Sequence, residues 1–135
     1  LLIQAAPTNV AAVLLAGGIG SRMKADRPKQ FLELRGKPIL TYSIELLLSI
    51  DSVRQLVLVI DEQYREKFAG LAAREPRLVF ADPGKERQDS VWNGLAQVAA
   101  DAELVCVHDA ARPLVTSKDI NQVLADAMKH GAAVL

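Results

Sequence analysis

Apolar and polar positions alternate in blocks along this chain, and the blocks differ in period. Residues 10–15 are a continuous apolar run that reads as a strand. In 38–50, Leu40, Ile44, Leu47 and Leu48 recur at helical spacing. Residues 56–60 are a second apolar run and predict a buried parallel strand. Asp61 is the predicted cap of a helix that turns Tyr64, Phe68 and Leu71 inward. A short strand follows over 78–81. Asp89 or Ser90 then caps a helix with Val91, Leu95 and Val98 inward, and 104–108 reads as another buried strand. Ser117 is the expected cap of a helix carrying Ile120, Val123, Leu124 and Met128, and Gly131 is its C-terminal stop. Residues 132–135 predict the start of a further strand.

Strands alternating with helices imply an α/β domain with a mostly parallel sheet. Ligands of such sheets sit outside the carboxyl ends of the strands. The unusual polar clusters fall there: residues 16–30 after the first strand, 82–90 after the third and 108–113 after the fourth. Residues 20–37 are the longest stretch without a regular pattern, and long ordered loops in compact domains are often functional. Residues 1–9 read as a tail and 10–135 as one domain, without repeats or low-complexity tracts.

Composition narrows the function classes. The 135 residues suffice for one domain with a real core, and 50% hydrophobic with 24% charged residues is ordinary for a soluble globular protein. Formal net charge is zero, which argues against a broad electrostatic grip on nucleic acid or an anionic membrane. Any anion must therefore be held by local placement of Arg and Lys. No apolar run approaches the roughly 20 residues needed to span a bilayer. A single cysteine, Cys106, excludes an internal disulfide, points to a reducing compartment and reads as a small buried hydrophobe. The chain starts at Leu1 rather than Met, so a trimmed or partial chain is expected, and residues 1–8 hold no clear targeting signal.

The candidate chemistry begins at Leu15-Ala16-Gly17-Gly18-Ile19-Gly20-Ser21-Arg22-Met23. Three glycines after a strand permit a turn whose N–H groups face an anion without a Cβ in the way. No Gly-Lys-Ser/Thr closes the loop, so it is not a Walker A element. Met23 stands where a dinucleotide fingerprint has its third glycine. A plain strand-to-helix turn is the alternative, but such a turn needs neither Arg22 nor the lysine of Pro28-Lys29-Gln30. Arg22 can offer a guanidinium fork to phosphate oxygens and Lys29 a point charge. The segment Gly84-Lys85-Glu86-Arg87-Gln88-Asp89-Ser90 leads into a helix N-terminus, either as a capped start or as a polar-ligand site. In His108-Asp109-Ala110-Ala111-Arg112-Pro113, Asp109 could hold Mg²⁺ through water, orient a phosphate-bearing substrate, or pair with Arg112. His108 reads as a satisfied, partly buried histidine and His130 as a partner of a helix C-terminus. No Cys/His cluster has zinc spacing.

These four segments, together with Phe31 and Val91, resemble the 2-C-methyl-D-erythritol 4-phosphate cytidylyltransferases of the non-mevalonate isoprenoid pathway, from about Val10 onward. The wording around 83–91 and 104–115 is similar to plant or algal plastid members. The resemblance implies a Rossmann-like three-layer α/β/α nucleotidyltransferase fold of the glycosyltransferase-A kind. It implies transfer of CMP from CTP to the 4-phosphate of 2-C-methyl-D-erythritol 4-phosphate, with release of pyrophosphate. By the family pattern Arg22 and Lys29 stabilise the transition state and Mg²⁺ bridges the triphosphate, with Asp109 as an indirect metal contact. Ala16, Gly17, Gly18 and Gly20 would cradle CTP. Gly84, Arg87 and Ser90 would line the cytidine side, and Asp109, Ala110 and Arg112 the region near the ribose and acceptor phosphate. Lys85 departs from bacterial relatives, where an acidic residue is common, and receives no base-reading role.

The resemblance also implies a plastid stroma location, or cytoplasm for a bacterial source, and a homodimer, with no nucleic-acid or membrane partner. The family fold continues past Leu135. Its remainder supplies an acceptor-positioning threonine, arginine and lysine and a β-arm that pairs two subunits. The expectation is therefore a C-terminally incomplete piece, weak or inactive in turnover by itself. Ribitol 5-phosphate cytidylyltransferase shares the loop and the Pro-Lys-Gln segment, and sugar-1-phosphate nucleotidyltransferases fit more loosely because they carry Pro-Lys-Pro. A non-catalytic nucleotide-binding fragment is the reading from another class.

Overall fold

A computed structural model describes residues 6–18 and 27–135. Strand β1 (Val10–Leu15) is followed in the described chain by a 3₁₀ turn (Lys29–Phe31) and a hairpin of β2 (Glu33–Leu34) and β3 (Lys37–Pro38). Helix α1 (Ile39–Leu48) leads to β4 (Val53–Val59), then α2 (Glu62–Arg65), a second 3₁₀ turn (Glu66–Phe68) and α3 (Ala69–Arg74). The remaining elements are β5 (Leu78–Ala81), α4 (Arg87–Leu95), β6 (Leu104–Asp109) and α5 (Ser117–His130).

Four strands form one parallel sheet in the order β5-β4-β1-β6. β1 is central and every one of its residues is buried, as an uninterrupted apolar run requires. Its alternate side chains feed two cores. Val10, Ala12 and Leu14 join Leu56 and Leu58 beneath Leu40, Ile44 and Leu47 of α1 and Ile120 and Leu124 of α5. Val13 and Leu15 join Val57, Val59 and Ala81 on the opposite face, packed by Val91 of α4. The result is the three-layer α/β/α arrangement with a mostly parallel sheet. Leu15 pairs with both Val59 and Asp109, and Val59 with Ala81. The carboxyl ends of all four strands therefore lie at one level, and the loops that leave them converge. No helix among the described residues is long and apolar enough to cross a membrane.

Several local expectations are corrected. The described part of 20–37 is not irregular: it holds the 3₁₀ turn and the hairpin, whose central Arg35 (φ 52°) and Gly36 (φ 75°) are both left-handed, as a tight two-residue turn demands. Asp61 does cap its helix, accepting from the Gln63 N–H at 3.1 Å. The cap of α4, however, is Glu86, whose N–H donates to Asp89 Oδ2 at 2.9 Å. Asp89 thus sits at the third helical position and Ser90 lies inside the helix, because a reciprocal cap with an acidic residue three places on starts the helix earlier. The same device makes Thr116, not Ser117, the cap of α5, with Asp119 as its reciprocal partner. On α4 the buried positions are Ser90 and Gly94, and Leu95 is exposed. Strand β6 is not buried on both faces. It is an edge strand, and Val105 and Val107 are 41% and 45% exposed on the α4 side, where no described helix reaches them. Met128 is exposed as well, and residues 132–135 form no strand.

The opposite end of the sheet is fastened by Arg77. Its guanidinium donates to the Val53 carbonyl at 3.0 Å, the Leu48 carbonyl at 3.1 Å and Glu75 Oε1 at 2.9 Å. One side chain thereby ties the end of α1 to the start of β4. The hydrogen bonds from Arg77 hold the Glu75 carboxyl at about 2, against an ordinary 4.5. A carboxyl depressed in the folded state contributes stability that is present above its ordinary value and is lost as pH falls toward the folded one. The urea midpoint of the protein should fall between pH 5 and pH 2, and Glu75→Gln should make that fall shallower. Parallel acid limbs for the two proteins would contradict the role given to this pair.

Candidate functional site

At the carboxyl end of the sheet the segments that follow β1, β5 and β6 surround a cavity of about 330 Å³. Its floor is the end of β1. The Ala16 N–H donates to the Val59 carbonyl at 2.9 Å, and the Ala110 N–H to the Leu15 carbonyl at 3.0 Å, so the first and fourth loops leave the sheet side by side. Ala16, Gly17 and Gly18 form one wall. Lys29 and Gln30 of the 3₁₀ turn form the next, and the Gln30 Nε2 donates to the Ala16 carbonyl.

The segment after β5 makes the third wall with Gly84, Glu86, Arg87 and Ser90. Its shape depends on Gly84. The Gly84 N–H donates to Ser90 Oγ at 2.9 Å, and Ser90 Oγ lies 3.3 Å from the Glu86 carbonyl, to which it donates. A Cβ on residue 84 would lie 2.1 Å from Asp89 Cβ and 2.9 Å from the Ser90 nitrogen, so no other residue fits this approach. Ser90 is therefore a structural tie in this structure, and the residue also borders the cavity.

The fourth wall carries Asp109, Ala110 and Ala111. Asp109 Oδ1 accepts the Ala111 N–H at 2.9 Å, and Oδ2 accepts Arg87 Nη1 at 2.9 Å. The alternative pairing of Asp109 with Arg112 is corrected: Arg112 gives Asp109 only a main-chain bond, from its N–H to the Asp109 carbonyl. Burial pushes the Asp109 carboxyl up, but the Ala111 N–H, the Arg87 guanidinium and the positive charge of Lys29 outweigh burial and hold it below its ordinary value. Asp109 is ionised at neutral pH. The lining side chains comprise three cations, Lys29, Lys85 and Arg87, against two carboxylates, Glu86 and Asp109. A chain of zero net charge thus concentrates positive charge at one point, which suits an anionic ligand.

Next to this wall His108 departs from its expected satisfied state. Its Nε2 is buried and has no hydrogen-bond partner among the described residues. Burial pushes the imidazole below its ordinary value, more than the Arg112 main chain and Asp109 raise it, so it is neutral at pH 7. Cys106 is half-buried and burial pushes its thiol up, in keeping with an inert apolar side chain.

Of the residues singled out by sequence, Ala16, Gly17, Gly18, Lys29, Gly84, Arg87, Ser90, Asp109 and Ala110 converge on this one cavity. Arg112 does not line it and instead borders a shallow groove with Pro113 and Leu114. Gly20 and Arg22 lie outside the described residues. Gln30, Glu86 and Ala111, to which the sequence alone gives no role, also border the cavity. A polar residue fixed between Lys29 and the apolar Phe31 was the available signal for Gln30. Glu86 was hidden by the misplaced helix start.

A divalent cation takes oxygen ligands, and Mg²⁺ bound with phosphates needs only one or two carboxylates. No group of three His, Cys, Asp or Glu side chains among the described residues could hold a metal ion. The cavity offers Asp109 and Glu86. That donor set fits a cation that arrives on a polyphosphate and does not fit one held by protein ligands alone.

Residues 10–135 match the family described as 2-C-methyl-D-erythritol 4-phosphate cytidylyltransferase. A chloroplastic protein of that name from Oryza sativa subsp. japonica is 51% identical over 128 residues, covering 94% of this chain and 43% of the rice protein. A protein of the same name from Vibrio atlanticus is 44% identical over 131 residues, covering 94% of this chain and 55% of its own length. The chain spans about half the length of these curated relatives. Among solved structures, 4-diphosphocytidyl-2C-methyl-D-erythritol synthase from Anaerococcus prevotii superposes with a TM-score of 0.76 at 18% identity, over 91% of this chain and 52% of that one. At that identity the likeness speaks for the fold, including the parallel sheet and its flanking helices.

Proposed function

The chain belongs to the 2-C-methyl-D-erythritol 4-phosphate cytidylyltransferase family, and from that premise we propose that the whole protein transfers CMP from CTP to 2-C-methyl-D-erythritol 4-phosphate in isoprenoid precursor synthesis. The observation that carries the reading is the cavity at the strand ends, where a glycine loop, Lys29, Arg87 and an ionised Asp109 meet with an excess of positive charge.

In the proposed reaction an oxygen of the acceptor's phosphate attacks the α-phosphorus of CTP in line. The new O–P bond forms as the bond to the β-phosphate oxygen breaks, and pyrophosphate leaves with that electron pair. No covalent nucleophile is needed, so the protein contributes position and electrostatics. The backbone of Ala16, Gly17 and Gly18, extended by Gly20, cradles the triphosphate. Lys29 and Arg22 stabilise charge that grows on the equatorial oxygens and the leaving group. Gly84, Arg87 and Ser90 border the cytidine, and Asp109 and Ala110 the ribose side. Arg112 lies outside the cavity and is assigned to the acceptor region on resemblance alone. Mg²⁺ supplied with CTP would neutralise the triphosphate oxygens, with Asp109 as its indirect protein contact. Identity to a chloroplastic rice protein supports a plastid location, and the family pattern supports a homodimer.

The test is pyrophosphate release from CTP by the protein at the full length its gene encodes. Release that requires 2-C-methyl-D-erythritol 4-phosphate is expected. Equal release with ribitol 5-phosphate, or release without an acceptor, would overturn the assignment.

A further inference from the structure

Gln30, Ser43 and Ser90 are the buried polar side chains among the described residues. Ser90 is accounted for by its tie to Gly84, and Ser43 lies in α1 away from the cavity. Gln30 is only 3% exposed, yet it borders the cavity. Burying an amide is costly unless its polar atoms are paired. Its Nε2 is paired with the Ala16 carbonyl. Ala16 is itself 3% exposed and lies one residue past the β1 ladder, and Gln30 is the donor that meets its carbonyl among the described residues. The peptide joining Ala16 to Gly17 is planar, so fixing that carbonyl also fixes the direction of the Gly17 N–H. On its other side the loop abuts the segment after β5: a Cβ on Gly17 would lie 2.4 Å from Pro83 Cβ.

The turn that carries Gln30 is held from a second direction. Phe31 is buried in the main core, with its ring 4.7 Å from that of Tyr64. Lys29 completes the same three-residue turn and borders the cavity, where no carboxylate among the described residues closes an ion pair with it. Two anchored neighbours therefore decide where the Lys29 backbone sits relative to the glycine loop.

We propose that Gln30 is a positioning residue that acts through the Ala16 carbonyl to set the Lys29 turn against the loop that cradles the triphosphate. The inference rests on the reading of Lys29 as the group that stabilises transition-state charge, and it adds the device that places that charge.

A double-mutant cycle tests it, on the protein at the full length its gene encodes. Gln30→Met fills similar volume but cannot donate to Ala16. It should lower kcat about tenfold or more while the KM for CTP stays within about threefold. In the Gln30→Met background, Lys29→Ala should cost about tenfold less than it costs in the original protein. Gln30→Glu, which keeps the shape but lacks the N–H donor, should repeat the cycle and covers the case of a Met variant that folds poorly. Thermal melts establish that each variant is folded at the assay temperature. A slow Lys29→Ala enzyme combined with additive effects of Gln30→Met overturns this inference alone. A Lys29→Ala enzyme with unchanged kcat overturns the reading of Lys29 and this inference with it.

Discussion

Lys29→Ala is expected to lower kcat by about 10²–10³-fold while CTP affinity changes only a few-fold, the pattern for a group that acts mainly on transition-state charge. Lys29 borders the same cavity as Asp109, and its positive charge adds to the Ala111 N–H and the Arg87 guanidinium in holding that carboxyl below its ordinary value. Removing it leaves the glycine loop and the 84–90 wall in place, so the ground-state nucleotide keeps most of its contacts. The charge that grows on the equatorial oxygens loses a partner that water in an open cavity replaces poorly. By the family pattern, Arg22→Ala should behave alike. Steady-state kinetics of pyrophosphate release separate kcat from KM. A Lys29→Ala enzyme with normal kcat and a raised KM would make Lys29 a binding group only.

Gly84→Ala should abolish useful CTP binding, by about 100-fold or more, and should destabilise the fold by about 1–3 kcal/mol. The added Cβ meets Asp89 Cβ at 2.1 Å, the Asp89 carbonyl carbon at 2.8 Å and the Ser90 nitrogen at 2.9 Å. Most of these are backbone or near-backbone atoms of the first turn of α4, which cannot swing aside as a side-chain tip would. The segment must withdraw, and with it go the Gly84 to Ser90 bond and the reciprocal cap between Glu86 and Asp89. Gly70→Ala is the matched control, because a Cβ there meets nothing within 4 Å and the residue lies in α3. It should leave binding unchanged and the melting temperature equal or slightly higher, because alanine is the better helix former. Gly84→Ala with normal CTP affinity would show that the wall at 84–90 is not part of the nucleotide site.

The fold was legible wherever apolar runs were long and unmixed. Residues 10–15 became the central strand β1 with the expected bounds, since a central strand has no face that tolerates polar side chains, and 78–81 became the edge strand β5 with its expected bounds. Helix starts were less legible, because Asp89 and Ser90 both have cap chemistry, yet the bond between Asp89 and Glu86 makes Glu86 the cap and neither of them. The apolar run in β6 predicted burial on both faces, but burial depends on what lies beside a strand, which its own composition does not encode. The site was legible in outline because sheet topology brings three separate polar clusters to one level. Its finer ties were not. The Arg87–Asp109 pair joins residues 22 positions apart, and the Gln30–Ala16 bond is a buried contact that no spacing rule announces.

Occupancy of the cavity beside Lys29 and Asp109 by CTP is read out by calorimetric titration of this chain with CTP, UTP and ATP in excess Mg²⁺, with Gly84→Ala as the blank. CTP should bind at least about tenfold more tightly than UTP or ATP, a difference of about 1.4 kcal/mol, and the preference should vanish in the blank. Equal affinity for the three nucleotides, or binding that Gly84→Ala leaves intact, would contradict it.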